Sequence, residues 1–299
     1  MRLSPEDVNL FYKLYAPLLF FTNARYGINN VSTVDQLMHL PAERRLPIRE
    51  ALFADNHLID DFVSANPAGL SQQELAIVAG WKSYLKGRFY LLRQLKRHAI
   101  FLSAEGEPKA YGVLAIADLF DELVPFMPIV VETVLLPFRG QIIYDGLLST
   151  HSITFGGGIK RRMNETYNEA KAKYGIITSL ENVSEIIKEP DEAELLKYYL
   201  RSAKNQEEYW DEIQYLIRKS EENETIFFQE IGKYFAKDFG KRLRHLGIEN
   251  GCFGIMESVI IGSGKTRKEA EKNIAEIIPR KKMPHVYFFQ LKPKRSSRK

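Results

Sequence analysis

The sequence predicts an α+β fold: an N-terminal helical region with a small β-barrel or curved sheet, then a helical hairpin and a C-terminal ββαβ unit. Three observations carry that expectation. Apolar residues recur at helical spacing between residues 4 and 85. At Arg88 the pattern changes to short aromatic and β-branched runs separated by polar turns. From Gly251 onward, strand, tight turn, strand, helix and strand signals follow one another.

The first helix starts at a Ser4 cap ahead of Glu6 and Asp7, and Leu10, Phe11, Leu14, Tyr15 and Leu18 form its apolar stripe. Ser71 and Glu74 form a capping box for a later helix, with Gly87 as its stop. The run "RFYLLRQLKRHAIFLS", read as strand over 88–103, is joined by "AEGEPK" to "AYGVLAI" as a hairpin. Two more strand regions, "PIVVETVLLPF" and "QIIYDGLLSTHSITF", meet at "RGQ". This many short strands in so short a stretch suggests a small barrel or a curved sheet, which the helix "IKRRMNETYNEAKAKYG" closes at Gly175. "SLENVSEIIKEPDEAE" reads as a linker, followed by two amphipathic helices, 192–205 and 206–246, with a break near Asn223. The ββαβ unit turns at Glu257 and Ser258. The domain expectation is therefore a helical region 1–87, a barrel-like domain 88–180, a linker and helical hairpin 181–246, a ββαβ module 247–293 and a basic tail 294–299.

Composition narrows the function classes. The 299 residues are 45% hydrophobic and 27% charged, which suffices for packed cores and is far from a disordered profile. The longest apolar candidate, "PFMPIVVETVLLPF", is too short and too interrupted to span a bilayer. The N-terminus reads as an amphipathic helix rather than a signal peptide, and a single cysteine, Cys252, fits a reducing cytoplasm. The net charge of +4 is uneven: residues 280–299 hold eight Lys or Arg and no acid, so the rest carries 34 bases against 38 acids. A polybasic end of this kind is a solvated terminus or a nonspecific phosphate-binding arm.

Two resemblances add to this reading. The segment "VETVLLPFRGQIIYDGLLSTHSITFGGGIKRRMNETYNEAKAKYGIITSL", with "GRFYLLRQLKRHAIFL" upstream, resembles an uncharacterised prokaryotic protein family over 88–180. That likeness implies a β-rich middle domain and no catalytic residues. "GSGKTRKEAEKNIAEI", within 262–277, is similar to the last strand-to-helix junction of double-stranded RNA-binding domains. That similarity implies phosphate contacts at Lys265, Arg267 and Lys268, with Ala270 as the packing residue. A first helix and a three-stranded sheet would complete such a domain, whereas only one hairpin, 252–262, fits between Gly251 and the helix.

Among candidate sites, "GGGIKRR" stands first. Gly156, Gly157 and Gly158 would expose backbone N–H groups at a helix start, and Lys160, Arg161 and Arg162 oppose the helix dipole unless an anion sits there. The bland alternative is that the glycines supply positive φ at a corner, with the bases solvated or paired with Glu165 and Glu169. "IIGSGKT" falls short of a nucleotide-binding loop because Val259 stands where the pattern needs glycine. Arg93 and His98 have a spacing found in helical ribonucleases, but a strand over 88–103 would turn them to opposite faces. Asp55, His57, Asp60 and Asp61 cluster without a third metal ligand at a recognisable spacing, His151 precedes the glycines, and Cys252 reads as core. No cofactor and no metal are expected.

The sequence thus points to a non-enzymatic cytoplasmic protein that contacts a polyanion, RNA or DNA, through the 156–162 loop, the start of helix 265–277 and the basic tail. An alternative is a scaffold recruiting a protein partner through helices 192–246. A second alternative is a ribonuclease using Arg93 and His98.

Overall fold

The fold class is α+β. The computed structural model describes residues 1–55, 57–151, 155–180 and 191–293, and the chain divides into two compact units, 1–189 and 190–299.

The first unit opens with five helices: α1 (Pro5–Tyr26), α2 (Val34–Met38), α3 (Ala42–Leu52), α4 (His57–Ala65) and α5 (Gln72–Gly80). The Ser4 hydroxyl accepts the Asp7 N–H at the head of α1, and Ser71 and Glu74 form the capping box of α5. The stop expected at Gly87 falls earlier. The helix ends at Gly80 and a 3-10 turn, Trp81–Ser83, swings the Trp81 ring edge-on to Phe11 and Tyr15, at centroid distances of 5.9 and 5.6 Å. Gly87 then lies inside the first strand. Burying the largest side chain in the core decides where the helix ends.

Seven strands follow: β1 (Leu85–Gln94), β2 (Ala99–Ser103), β3 (Ala110–Leu114), β4 (Ile129–Phe138), β5 (Gln141–Tyr144), β6 (Ser149–His151) and β7 (Ile176–Ile177). Short α6 (Phe120–Leu123) lies between β3 and β4, and α7 (Gly157–Tyr174) between β6 and β7. The single strand expected over 88–103 is two strands, because the polar "LKRH" turns back at Leu95–His98, where the Leu95 N–H donates to the His98 carbonyl. β1 pairs antiparallel with β2, β2 with β3, β3 parallel with β5, and β5 antiparallel with β4; β4 returns to β1 and closes the ring. The order 1-2-3-5-4-1 is the connectivity of the Greek-key barrel known as the OB-fold. Phe120 on α6 plugs the interior against Phe101 and Tyr144, at 5.0 and 5.2 Å.

The period-two alternation of the strands sorts the barrel surface. Phe89, Leu91, Phe101, Tyr111 and Val113 point inward, while most of the C-terminal half of β4 is buried on both faces and belongs to the same core as Phe11, Leu14, Ile48 and Phe62 of the helices. The helical region and the barrel thus share one apolar core. On the other side, the outer residues Leu92, Ile100, Leu102 and Ala110, with Tyr90, form a separate small cluster under α7, which contributes Met163, Tyr167 and Ala170. Full burial of one such side chain is worth about 1.5–3 kcal/mol. Met163 is therefore the main apolar anchor of α7.

The second unit holds four helices where a hairpin was expected: α8 (Glu192–Tyr199), α9 (Ala203–Glu208), α10 (Trp210–Lys219) and α11 (Glu221–His245). Ser202 accepts the Asn205 N–H and starts a helix where amphipathic periodicity alone reads on, while the break expected near Asn223 falls at Ser220, which accepts the Asn223 N–H. The ββαβ unit follows as β8 (Gly251–Met256), β9 (Val259–Gly264), α12 (Arg267–Ala275) and β10 (Tyr287–Leu291). Its sheet is antiparallel in the order β10-β8-β9, with the tight turn at Glu257, φ 56°. The third strand thus comes from after the helix. α11 lies over Tyr287, through Gly232, while α12 covers the opposite face, with Ile274 against Gly254 and Gly262.

The expected linker core, 181–190, and the tail 294–299 lie outside the described residues. No helix among the described residues is long and apolar enough to cross a membrane.

Candidate nucleic-acid interface

Gly156 is the N-cap residue of α7, no side chain among the described residues accepts from the first turn, and no acid stands in that turn. Orphan N–H groups and the positive end of the dipole are left to solvent or to an anion. The glycines do not act as corner residues. Gly156 has φ −66°, and neither Gly157 nor Gly158 has positive φ. They are not packing residues either, since a Cβ at any of the three would meet nothing within 4 Å. Positive φ at this corner is therefore not what the three glycines provide; the one at the far end, Gly175, does have φ 70°. Arg161 approaches Glu165 at 3.8 Å, and Glu169 is taken by Lys173 at 2.7 Å. Lys160 and Arg162 have no ion-pair partner among the described residues.

A second basic segment meets this one. Arg93, near the end of β1, donates to the Asn164 side-chain oxygen one turn beyond Lys160, and its guanidinium lies 5.2 Å from the Tyr167 ring centre. The β1–β2 turn that follows carries Lys96 and Arg97, both exposed and without an ion-pair partner among the described residues. Residues 93–98 and 155–164 contain no acid. The Arg93–Asn164 bond joins these two acid-free stretches, which carry Lys96 and Arg97 on one and Lys160, Arg161 and Arg162 on the other. Lys96 and Arg97 were missed from sequence; the signal was a basic turn hidden inside what reads as one strand.

His98 closes that turn without facing the solvent. Its ring lies against Gly112 of β3, where a Cβ would sit 3.0 Å from it. Its Nε2 is buried without a hydrogen-bond partner among the described residues, as is Oε1 of Gln94. Burial, with neighbouring positive charge, lowers the His98 pKa below the ordinary histidine value. Arg93 and His98 thus have separate contacts, one with α7 and the other with β3, and no hydrogen bond joins them among the described residues.

The start of α12 has the same sequence signature and a different structure. The Thr266 hydroxyl accepts the Glu269 N–H, and Glu269 reaches back to the Lys265 N–H at 2.9 Å. Arg267 is held by Glu271 at 2.7 Å and lies over Phe288. Lys265 and Lys268 are exposed, while Ala270 is fully buried. A Cβ at Gly264 would be 2.5 Å from the Ala270 backbone nitrogen, so this glycine permits helix and strand to touch.

The remaining candidates have structural occupations. Asp55 accepts the His57 N–H and Asp60 pairs with Lys82 at 2.6 Å. His151 ends β6 exposed, and Cys252 is buried, which pushes its thiol pKa up. One buried cluster had no sequence signal. Asp145, wholly buried, accepts from Tyr15 and from the Leu147 N–H, with Thr133 and Arg49 beside it. Burial pushes its carboxyl up to about 6 against the opposing charge of Arg49. The cluster ties α1 and α3 to the end of β5.

No protein-family model, curated protein or solved structure matches the chain. The likeness to OB-type barrels accordingly rests on strand connectivity alone, and a functional reading rests on the chemistry of the two basic stretches.

Proposed function

We propose that the protein is a non-enzymatic nucleic-acid-binding protein whose first unit contacts phosphates through the rim formed by Lys96, Arg97, Lys160, Arg161 and Arg162. The observation that carries this reading is the joining of two acid-free basic segments by the Arg93–Asn164 bond on an OB-type barrel. The bare glycines of α7 support it, because they let a phosphate approach backbone N–H groups that no side chain among the described residues occupies. In barrels of this connectivity the β1–β2 loop flanks the oligonucleotide groove. Lys265, Arg267 and Lys268 are a secondary contact in this reading, since the Lys265 and Glu269 amides already have side-chain acceptors and Arg267 is paired with Glu271.

The test is fluorescence anisotropy of labelled single-stranded RNA, double-stranded RNA and duplex DNA at two salt concentrations. Salt-sensitive binding that is lost in the Lys160/Arg161/Arg162→Ala variant supports the rim. Binding lost only on truncation after Leu291 reduces the affinity to the tail. A second reading, protein recruitment, is favoured by Trp210 and Tyr215 on α10, which are 54% and 66% exposed and belong to the residue types that anchor interfaces. It predicts no nucleic-acid affinity and a concentration-dependent mass that Trp210→Ala abolishes.

A further inference from the structure

The small sheet of the second unit has two edges, because its strands lie in the order β10-β8-β9. An open edge presents backbone donors and acceptors to any strand that reaches it, and native proteins blunt such edges with bulges, prolines, charges or covering groups. The β9 edge is blunted in this way. A register shift opposite Gly254 and Ile255 bulges the strand, and the Asn273 side chain of α12 donates to the Ser263 carbonyl at 2.9 Å.

The β10 edge is left plain. Tyr287 to Leu291 pair with β8 without a shift, and this run contains neither proline nor charge. Successive residues of an antiparallel strand turn their N–H and C=O groups alternately to its two sides. Val286 sets the phase. Its N–H donates to the Met283 carbonyl and its own carbonyl accepts Gln229 Nε2 at 2.9 Å, so it faces away from β8. Tyr287, Phe289 and Leu291 therefore face β8, whereas Phe288 and Gln290 turn their backbone groups outward. Neither of the two makes a backbone hydrogen bond beyond the sheet among the described residues.

A groove of about 530 Å³ opens at the start of this edge, lined among others by Gln229, Arg267, Arg280, Met283, Tyr287 and Phe288. Arg267 lies over the Phe288 ring and is paired with Glu271, so Arg280, which has no ion-pair partner among the described residues, is the uncompensated charge there. Residues 280–293 contain no acid, and Lys292 is exposed just past the other end of the strand. Free backbone groups, an aromatic surface and positive charge at both ends of one strand are complementary to an extended chain that carries carboxylates.

We infer that β10 is the docking edge for an extended acidic peptide of a partner protein, which adds to the sheet as a fourth strand. The peptide backbone bonds to Phe288 and Gln290, and every second side chain passes Phe288, Arg267 and Arg280 on the α12 side. The main-chain bonds supply affinity, and Arg280 selects Asp or Glu at the alternate positions. This site belongs to the second unit and is independent of the proposed phosphate contacts of the first. Nucleic acid drawn to Arg267 and Arg280 is the competing occupant that the experiment separates.

The experiment uses the full chain with a fluorescein-labelled peptide of alternating Glu and Val, its Lys-Val counterpart and a labelled single-stranded RNA. The Glu-Val peptide is expected to bind at micromolar concentrations and the Lys-Val peptide at least about tenfold more weakly. Methylating the backbone nitrogens of either the Glu or the Val residues removes donors from one side of the added strand. One of the two methylated peptides should lose about tenfold in affinity and the other less than about threefold. Gln290→Pro, which removes an outward N–H and leaves the β8 ladder intact, and the exposed Arg280→Glu should each weaken peptide binding about tenfold. Hydrogen exchange read amide by amide gives an independent measure: Phe288 and Gln290 should exchange fast in the free chain and slowly with the peptide bound. Absence of peptide binding, or equal loss from both methylated peptides, overturns the inference. So does protection of the Phe288 and Gln290 amides in the free chain, which would mean that another strand, such as that of a second copy, already covers the edge. RNA binding that Arg280→Glu abolishes, with no peptide binding, would give the groove to nucleic acid and overturn it as well.

Discussion

The chain writes nearly the same phrase twice, glycines followed by a basic helix start, at 156–162 and at 262–268, and resolves it in two ways. At α12, the glycines are filled space: Gly262 and Gly264 let the helix touch the strand, and Thr266 and Glu269 take up two amides, those of Glu269 and Lys265. At α7, the glycines face open space and no side chain among the described residues caps the turn. Glycines and lysines at a helix start do not by themselves make an anion site. What distinguishes the two is whether the polypeptide has already satisfied its own backbone.

Substituting the glycines tests this contrast most severely. Gly264→Ala forces a Cβ into backbone and is expected to destabilise the second unit by about 3 kcal/mol, seen as a lowered denaturant midpoint. An unchanged midpoint would mean that the close approach of α12 to β9 is not required.

Charge removal comes next. Lys160/Arg161/Arg162→Ala is expected to weaken nucleic-acid binding tenfold or more near 0.1 M salt and to flatten the salt slope by roughly two to three. Lys265/Arg267/Lys268→Ala is expected to change affinity about twofold. The reverse ranking would move the interface to the second unit and break the comparison.

Two smaller effects sharpen it. Gly157→Ala and Gly158→Ala should each stabilise the first unit by up to about 1 kcal/mol, as alanine does in a helix, while lowering nucleic-acid affinity severalfold because the methyl groups crowd the backbone. A gain in stability without loss of binding would separate the glycines from the site. Thr266→Ala should cost the second unit about 1 kcal/mol by removing its cap, whereas Gly156→Asp, which supplies a cap to α7, should gain a few tenths of a kcal/mol and reduce affinity two- to threefold.

Much of the fold is legible in the amino-acid order because local physics dictates it. Ser4, Ser71 and Glu74 announce helix starts, the change of period at Arg88 announces strands, and the turn at Glu257 and the ββαβ order can be read directly. Two failures have local causes of a subtler kind. "LKRH" looks continuous with its neighbours because Leu95 and His98 fit a strand pattern at the edges of a turn, and Ser202 interrupts a helix whose apolar period continues past it. Of the candidate site, Gly156–Gly158 and Lys160–Arg162 were visible as a motif, whereas Lys96 and Arg97 were not, because their importance comes from the Arg93–Asn164 contact across 71 positions of chain.

The sequence by itself determined the fold class, the helix caps, the alternation of the strands and the presence of two basic helix starts. Each of these depends on residues within a few positions of one another, where spacing, sterics and hydrogen-bonding capacity suffice. Only the tertiary structure decided that the strands close as 1-2-3-5-4-1, that α7 lies on the outer face of β1–β3, that Asp145 is buried beside Arg49, and that one glycine motif is open while its twin is filled. Those outcomes turn on which distant surfaces exclude water from each other, a property of the assembled chain that no short window contains.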